Sequence, residues 1–503
     1  MKKIIFLGLL ISSLNIFSQD YVKVHTLIIE GIDATYHIDF DKALSKFQEA
    51  RKVVPSDLRG QFFETTVYFW KGMFARSRVD YETYLNLSDK LVEKCEEIVD
   101  KNENDLDARL YLGWCYTMRA FILYYMDQNV LRGASEIKDG NKHLTYVVEK
   151  KPDYYDAYLG LGIFNYMTSL IPRKLQWLTN VLGFSGDRET GYIQLKTSSD
   201  KGVYTSNEAK FYLTLLSWRE EKFTEAESYS TALKNSYPNS PGVWMVWGLL
   251  MSQQDKMTEA IQAYEKSIEL NSEMKSDIVY KTGYGALASS YFRTNNFDKA
   301  VEFGKKYMNF INKDDRYNNR LFSIGVSLDL LGKKDEAQTY YKQARTEQNK
   351  DAEWEKYWHR KLTDRINNPT TVIDSFLITA DNNRAVGKLN EALENYNKVK
   401  PLIEQKKNDD LVVQLNLGYG QVYLKQKDYN KAIESFKQNL NLAPQNEKWL
   451  VPESYFQIGR CYLCLGNKSE AQKYFDMALE IDYEFDFKDA LDQKIKNELS
   501  KYN

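Results

Sequence analysis

Residues 186–193 read GDRETGYI, and Gly186 and Gly191 stand at the separation found in a phosphate-binding loop. Such a loop closes backbone N–H groups on the phosphates, reaches the terminal phosphates with a lysine and holds magnesium through a hydroxyl. Tyr192 and Ile193 occupy those last two positions, so both the cation and the metal-binding hydroxyl are missing. Cys461 and Cys464, in GRCYLCLGN, form a Cys-x-x-Cys. Their periodicity sets them inside a helix rather than at its N-terminus, where a thiolate is stabilised, and no second pair completes a zinc site. The pair is expected to be buried, inert thiols; Cys95 and Cys115 are the other two cysteines, and an oxidising compartment would permit disulfides that a chain of this size does not need. His25, His37, His143 and His359 are scattered without metal-ligand spacing. The acids of KNENDLDAR, residues 101–109, lack the central glycine and twelfth-position glutamate of a calcium loop. No Gly-x-Ser-x-Gly nucleophile elbow occurs. The chain is therefore read as non-enzymatic, with no cofactor and no metal.

Composition agrees. The 503 residues carry 68 Lys+Arg against 70 Asp+Glu, a net charge of −2 that offers no general attraction to nucleic acid or anionic membranes. Nine prolines in this length argue against a fold of many tight turns and strands. The N-terminus, MKKIIFLGLLISSLNIFSQD, places Lys2 and Lys3 before an apolar run from Ile4 to Ile11 and ends near Ser18, the layout of a secretory signal cleaved before Gln19. No cysteine stands at the junction to take a lipid. Beyond it the longest apolar run, residues 242–251, is too short to span a bilayer, so the mature protein is expected outside the cytoplasm, in the periplasm, at the outer membrane or in the medium.

The organising signal is a repeat. Residues 241–272, PGVWMVWGLLMSQQDKMTEAIQAYEKSIELNS, read as two amphipathic helices joined by a tight turn. A small residue in the first helix is followed twelve positions later by one in the second, which lets the backbones approach. The pairing recurs eight times: Gly31 with Ala43, Thr214 with Ala226, Gly248 with Ala260, Ala288 with Ala300, Gly325 with Ala337, Ala380 with Ala392, Gly420 with Ala432 and Gly459 with Ala471. An aromatic ring follows four residues after the second small residue in six of them, at Phe47, Tyr264, Tyr341, Tyr396, Phe436 and Phe475. Proline closes three hairpins, at Pro55, Pro238 and Pro444. Gly72, Gly113 and Gly162 sit in similar helices but are followed at twelve by Tyr84, Tyr125 and Lys174.

On Trp244, Trp247, Gly248, Ala260 and Tyr264 the chain resembles the tetratricopeptide-repeat superfamily, whose pattern is W-x2-L-G-x2-Y…A-x3-F…P. That resemblance implies an all-α right-handed superhelix, here of about eleven hairpins with a C-terminal capping helix. Residues 160–250, with IFNYMTSLIP, VLGFSGDRETGYI and NEAKFYLTLL, are also similar to the inclusion-body-clearance and tetratricopeptide-39-type family, which has no catalytic residues to transfer.

The expected organisation is a signal at 1–18, long N-terminal hairpins with an inserted one at 19–206, repeats at 207–350, a connecting helix at 351–372, further repeats at 373–486 and a cap at 487–503 carrying Phe487, Leu491, Ile495 and Leu499. In the insert, IPRKLQWLTNVLGF reads as an apolar helix ended by Gly183. Gly186 then opens a helix with Asp187 and Glu189 in its first turn, Gly191 lets that helix pack closely, and Thr205 with Glu208 reads as a capping box. The resemblance places a partner groove along the first helices, at Met245, Leu249 and Gln253; Phe322, Val326 and Asp329; and Phe456, Arg460 and Leu463. The expectation is a scaffold that binds a protein or peptide along its concave face. The alternative is a glycan-binding protein of an outer-membrane uptake system, using tyrosine and tryptophan platforms.

Overall fold

The computed structural model describes residues 2–75, 77–127, 130–169, 186–311, 317–343 and 352–500, and among them every regular element is an α-helix. The chain divides into two units, Met1–Leu250 with Lys266–Val279, and Met251–Glu265 with Tyr280–Asn503. The helices of the first are α1 (Lys2–Tyr36), α2 (Phe40–Val53), α3 (Leu58–Ala75), α4 (Arg78–Lys101), α5 (Leu106–Asp127) and α6 (Val130–Lys150). They continue as α7 (Ala157–Ser169), α8 (Arg188–Lys201), α9 (Ser206–Arg219) and α10 (Phe223–Ser236). The division runs through α11 (Pro241–Gln253), α12 (Met257–Leu270) and α13 (Asp277–Arg293). The second unit continues with α14 (Phe297–Met308), α15 (Tyr317–Leu330), α16 (Lys334–Tyr341), α17 (Ala352–Asn367), α18 (Val372–Ala385) and α19 (Leu389–Lys406). It ends with α20 (Asp409–Lys425), α21 (Tyr429–Lys437), α22 (Leu450–Cys464), α23 (Lys468–Leu479) and α24 (Lys488–Ser500). Taken in order these make eleven successive pairs, with α17 and α24 left single.

In four of the pairs a glycine lies directly under a ring of the second helix. A Cβ added to Gly31 would lie 2.3 Å from Phe47, one on Gly325 2.3 Å from Tyr341, one on Gly420 2.3 Å from Phe436, and one on Gly459 2.5 Å from Phe475. All eight alanines of the second helices are buried. The turn between the helices is equally regular. Ile38, Glu221, Asp255, Asn295, Gly332, Gly387, Lys427 and Gly466 all have left-handed φ, between 59° and 78°, and each lies seven residues after the first small residue of its hairpin. Only three are glycine, so the other five hold a conformation that costs an L-residue about 1 kcal/mol.

The hairpins that break the twelve-residue rule keep its physics at another spacing. A Cβ on Gly140 of α6 would stand 2.9 Å from the Gly113 carbonyl of α5, and one on Gly191 of α8 2.9 Å from the Gly162 carbonyl of α7. These helices are longer or separated by more chain, so the small partner comes 27 and 29 residues on. Gly72 instead receives the ring of Tyr81, which would lie 2.6 Å from an added Cβ. Arg119 ties three helices together: its Nε and Nη2 donate to the Glu136 carboxylate of α6 at 2.9 and 3.0 Å, while Nη1 donates to Ser88 and Asp89 of α4.

The insert follows helix-end physics where it is described. Asp187 is the N-cap of α8 and accepts from Thr190 N at 2.7 Å, with Glu189 in the first turn. The apolar stretch 171–184, with Gly183, lies outside the described residues. Thr205 and Glu208 do not form a capping box. Thr205 precedes α9 but makes no cap bond, because its hydroxyl donates to Asp156 Oδ1 at 2.8 Å and Glu208 turns inward. A capping box does start α18, between Thr371 and Asp374. At the end of the second unit, Leu491 and Ile495 of α24 are buried in a cluster with Phe456, Ala471 and Phe475 of the α22–α23 pair.

Candidate functional site

The expected groove residues fall in different surroundings. On α11, Met245 is half-buried, Leu249 is 41% exposed and Gln253 is exposed. On α15, Phe322 packs on Trp358 with centroids 4.9 Å apart, and Val326 is fully buried in the same cluster. Asp329 is buried too; its Oδ2 accepts from the Tyr341 hydroxyl at 2.8 Å and from Thr370 N and Oγ1 at 3.1 and 2.7 Å. On α22, Phe456 lies on Phe475, Leu463 is half-buried against the same cluster, and Arg460 is exposed with Nη1 donating to Gln457 Oε1 at 3.3 Å. Of the nine, Leu249, Gln253 and Arg460 are the ones most open to solvent.

The thiols are free, and three are buried: Cys95, Cys115 and Cys461. Burial pushes the Cys95 and Cys461 thiols up to about 12, which removes the thiolate that redox chemistry requires. Cys464, expected to be buried, is exposed at the end of α22. Among the described residues no group of three His, Cys, Asp or Glu side chains is placed to hold a metal ion, and no helix is long and apolar enough to cross a membrane.

A site that the twelve-residue pattern does not reveal lies within the first unit. Six first helices, α1, α3, α5, α7, α9 and α11, turn side chains onto one cavity of about 130 Å³. Its walls combine rings, among them Phe69, Trp70, Phe211 and Tyr212, with aliphatic side chains and Thr35, Thr66 and Thr117. Met167, 40% exposed, belongs to the wall and marks where it meets solvent. Three polar atoms of the lining residues are shut off from solvent without a hydrogen-bond partner among the described residues: Trp114 Nε1, Glu208 Oε1 and Ser230 Oγ. Native interiors pair nearly all such atoms, with protein, water or ligand. Burial raises the Glu208 acid to about 8, and its charge in turn adds to the burial that pushes up the Tyr36 and Tyr212 phenols.

The hole has a local cause. Ser230 stands four residues after Ala226, where six other hairpins put a ring. Ser230 itself lines the cavity, so its own repeat puts a hydroxyl at the wall where those six carry a ring. The sequence carries this signal, since the α9–α10 pair is short of both a glycine and an aromatic. Glu208 is harder to find, because its place in the first turn of α9 fits a cap as well as an inward face shared with Phe211 and Tyr212 at i+3 and i+4.

The packed helical pairs, small residues and capping helix define the chain as an all-α tetratricopeptide-type repeat protein. Residues 156–309 match the family model described as Iml2/Tetratricopeptide repeat protein 39, and residues 411–484 match a tetratricopeptide-repeat model. Residues 156–309 are thus of the Iml2/tetratricopeptide-repeat-39 type and residues 411–484 of the tetratricopeptide-repeat type. Among curated relatives it is 24% identical over 178 residues to protein bimA of Emericella nidulans, a match covering 32% of this chain and 21% of that protein's length. Among solved structures, a tetratricopeptide repeat protein from Parabacteroides merdae matches at 15% identity over 58% of this chain and 99% of that one, with a TM-score of 0.26. Yeast Tom70 matches at 14% identity over 89% and 90%, TM-score 0.32, and the human IFIT1 dimer with m7Gppp-AAAA at 14% over 92% and 95%, TM-score 0.35. Such repeats are protein-binding scaffolds as a class.

Proposed function

We propose that this protein is a non-catalytic repeat scaffold that works outside the cytoplasm and binds a protein or peptide partner along its first helices, with no cofactor. The observation that carries the reading is α11. Its residues from Pro241 to Met251 are apolar on every face, the composition of a helix meant to be covered all round. Trp244, Met245, Val246 and Trp247 are nevertheless only half-buried and Leu249 is open. Exposed apolar surface of this kind marks an interaction site. Export is supported by Lys2, Lys3 and the apolar run that follows them.

The test is affinity capture by the mature protein from its native envelope fraction, beside a Leu249→Asp variant with an unchanged melt. The expected result is one protein retained in stoichiometric amount, with affinity for the variant lowered by about 30-fold, the loss typical of a central contact. Retention that the variant does not change, or retention on polysaccharide in place of protein, overturns it. Export is checked by the N-terminal residue of the fractionated protein, expected to be Gln19.

A further inference from the structure

We propose that the cavity of the first unit is a binding site for a small neutral alcohol on a hydrophobic ring, of the size and chemistry of phenol. The first support is size and lining. An apolar cavity of about 150 Å³ accepts a benzene ring, and this one holds about 130 Å³ between ring-bearing side chains.

The second support is the set of unpaired atoms in the cavity-lining residues. Trp114 Nε1 can only donate, whereas Glu208 Oε1 in the neutral acid and Ser230 Oγ can each accept or donate. An ammonium ion has three donors and no acceptor, so it leaves Trp114 unsatisfied; a hydroxyl both donates and accepts. A hydroxyl is therefore the simplest group that answers both kinds of orphan. With its acid raised to about 8, Glu208 is neutral at pH 7 and the empty cavity carries no fixed charge to attract a cation.

The third support is local in the sequence. Six other hairpins put a ring at this place, four residues past the second alanine, and here the chain supplies Ser230. The ligand's ring takes the place of the absent side chain. This site does not depend on the partner proposed above, and a failed envelope capture leaves it standing.

The experiment is titration calorimetry of the full chain at pH 7 with phenol, toluene and benzylammonium as probes. Toluene matches phenol in shape and carries a methyl group where phenol has the hydroxyl. The expected result is phenol bound roughly tenfold more tightly than toluene, the worth of one buried hydrogen bond, and more tightly than benzylammonium. Glu208→Leu should abolish the preference for phenol while toluene still binds. Ser230→Phe, which restores the ring of the other hairpins, should abolish binding of both. Equal affinity for phenol and toluene, tighter binding of benzylammonium, no binding of any probe, or a Ser230→Phe protein that binds as before overturns the proposal. Should Glu208→Leu fail to melt cooperatively, the phenol-to-toluene ratio of the unaltered chain decides alone.

Discussion

Gly420 shows what one side chain is asked to do in this architecture. It lies in the middle of α20 under the ring of Phe436, which is fully buried and has nowhere to retreat. A methyl group at that position would stand 2.3 Å from the ring, far inside contact distance. Gly420→Ala should therefore destabilise the chain although alanine favours helix, by about 1–3 kcal/mol of overpacking. A lower urea midpoint with an unchanged slope is the expected measurement. An unchanged midpoint would mean that the hairpin holds its two helices apart by something other than this ring. The same logic explains why glycine, alanine and threonine, and nothing larger, stand at the first small position of all eight regular pairs.

At the scale of the element, the helical pairs were legible because their determinants are local: two small residues twelve apart and a ring four further on. The left-handed turn residue is just as regular, yet five of its eight occupants are not glycine and so give no signal by type. Lys427 is exposed and held at φ 62° between α20 and α21. Lys427→Gly should raise stability by about 0.5–1 kcal/mol, seen as a higher urea midpoint, since glycine adopts that φ without strain. Ile38 is not equivalent, because its buried side chain lies 2.8 Å from where a Cβ on Gly242 would be. The Gly113–Gly140 and Gly162–Gly191 contacts were not legible, because nothing local announces a partner 27 or 29 residues away. Of the groove positions taken from the repeat resemblance, Leu249 and Gln253 of α11 are exposed, while Val326, Asp329 and Phe456 are buried because a position in the repeat does not say which neighbouring helix covers it. The cavity was not legible, since its lining comes from eight helices that must be placed before it exists.

For the molecule as a whole, the near-balance of 68 positive and 70 negative residues leaves pH dependence to a few shifted groups. Glu208 is an acid whose value rises from 4.5 to about 8 on folding, so the folded chain holds a proton that the unfolded chain has released. Its contribution is fully present below pH 4.5 and is lost as pH rises to about 8, at up to about 1.4 kcal/mol per pH unit. His143 acts in the opposite sense. Burial first, then Arg109 and Lys142, lower it from 6.5 to about 4, so its contribution is present above 6.5 and is lost as pH falls toward 4. Between pH 6.5 and 8 only Glu208 of this pair changes charge in the folded chain, and the residual titration of unfolded His143 is the same for both proteins compared. Urea midpoints measured over that range should fall for the unaltered chain and fall less for Glu208→Gln; parallel curves would show that the acid is ordinary in the folded protein.

The fixed interval from small residue to left-handed turn to second small residue also decides where this polypeptide tolerates spliced-in sequence. One residue added between Gly420 and Ala432 rotates everything after it by about 100° around the helix axis and carries Ala432 off the seam. One added between Asn439 and Trp449, where no regular helix runs, disturbs no such register. Reporter tags, cleavage sites and evolutionary insertions should thus survive at the joints between pairs and be purged from the bends within them.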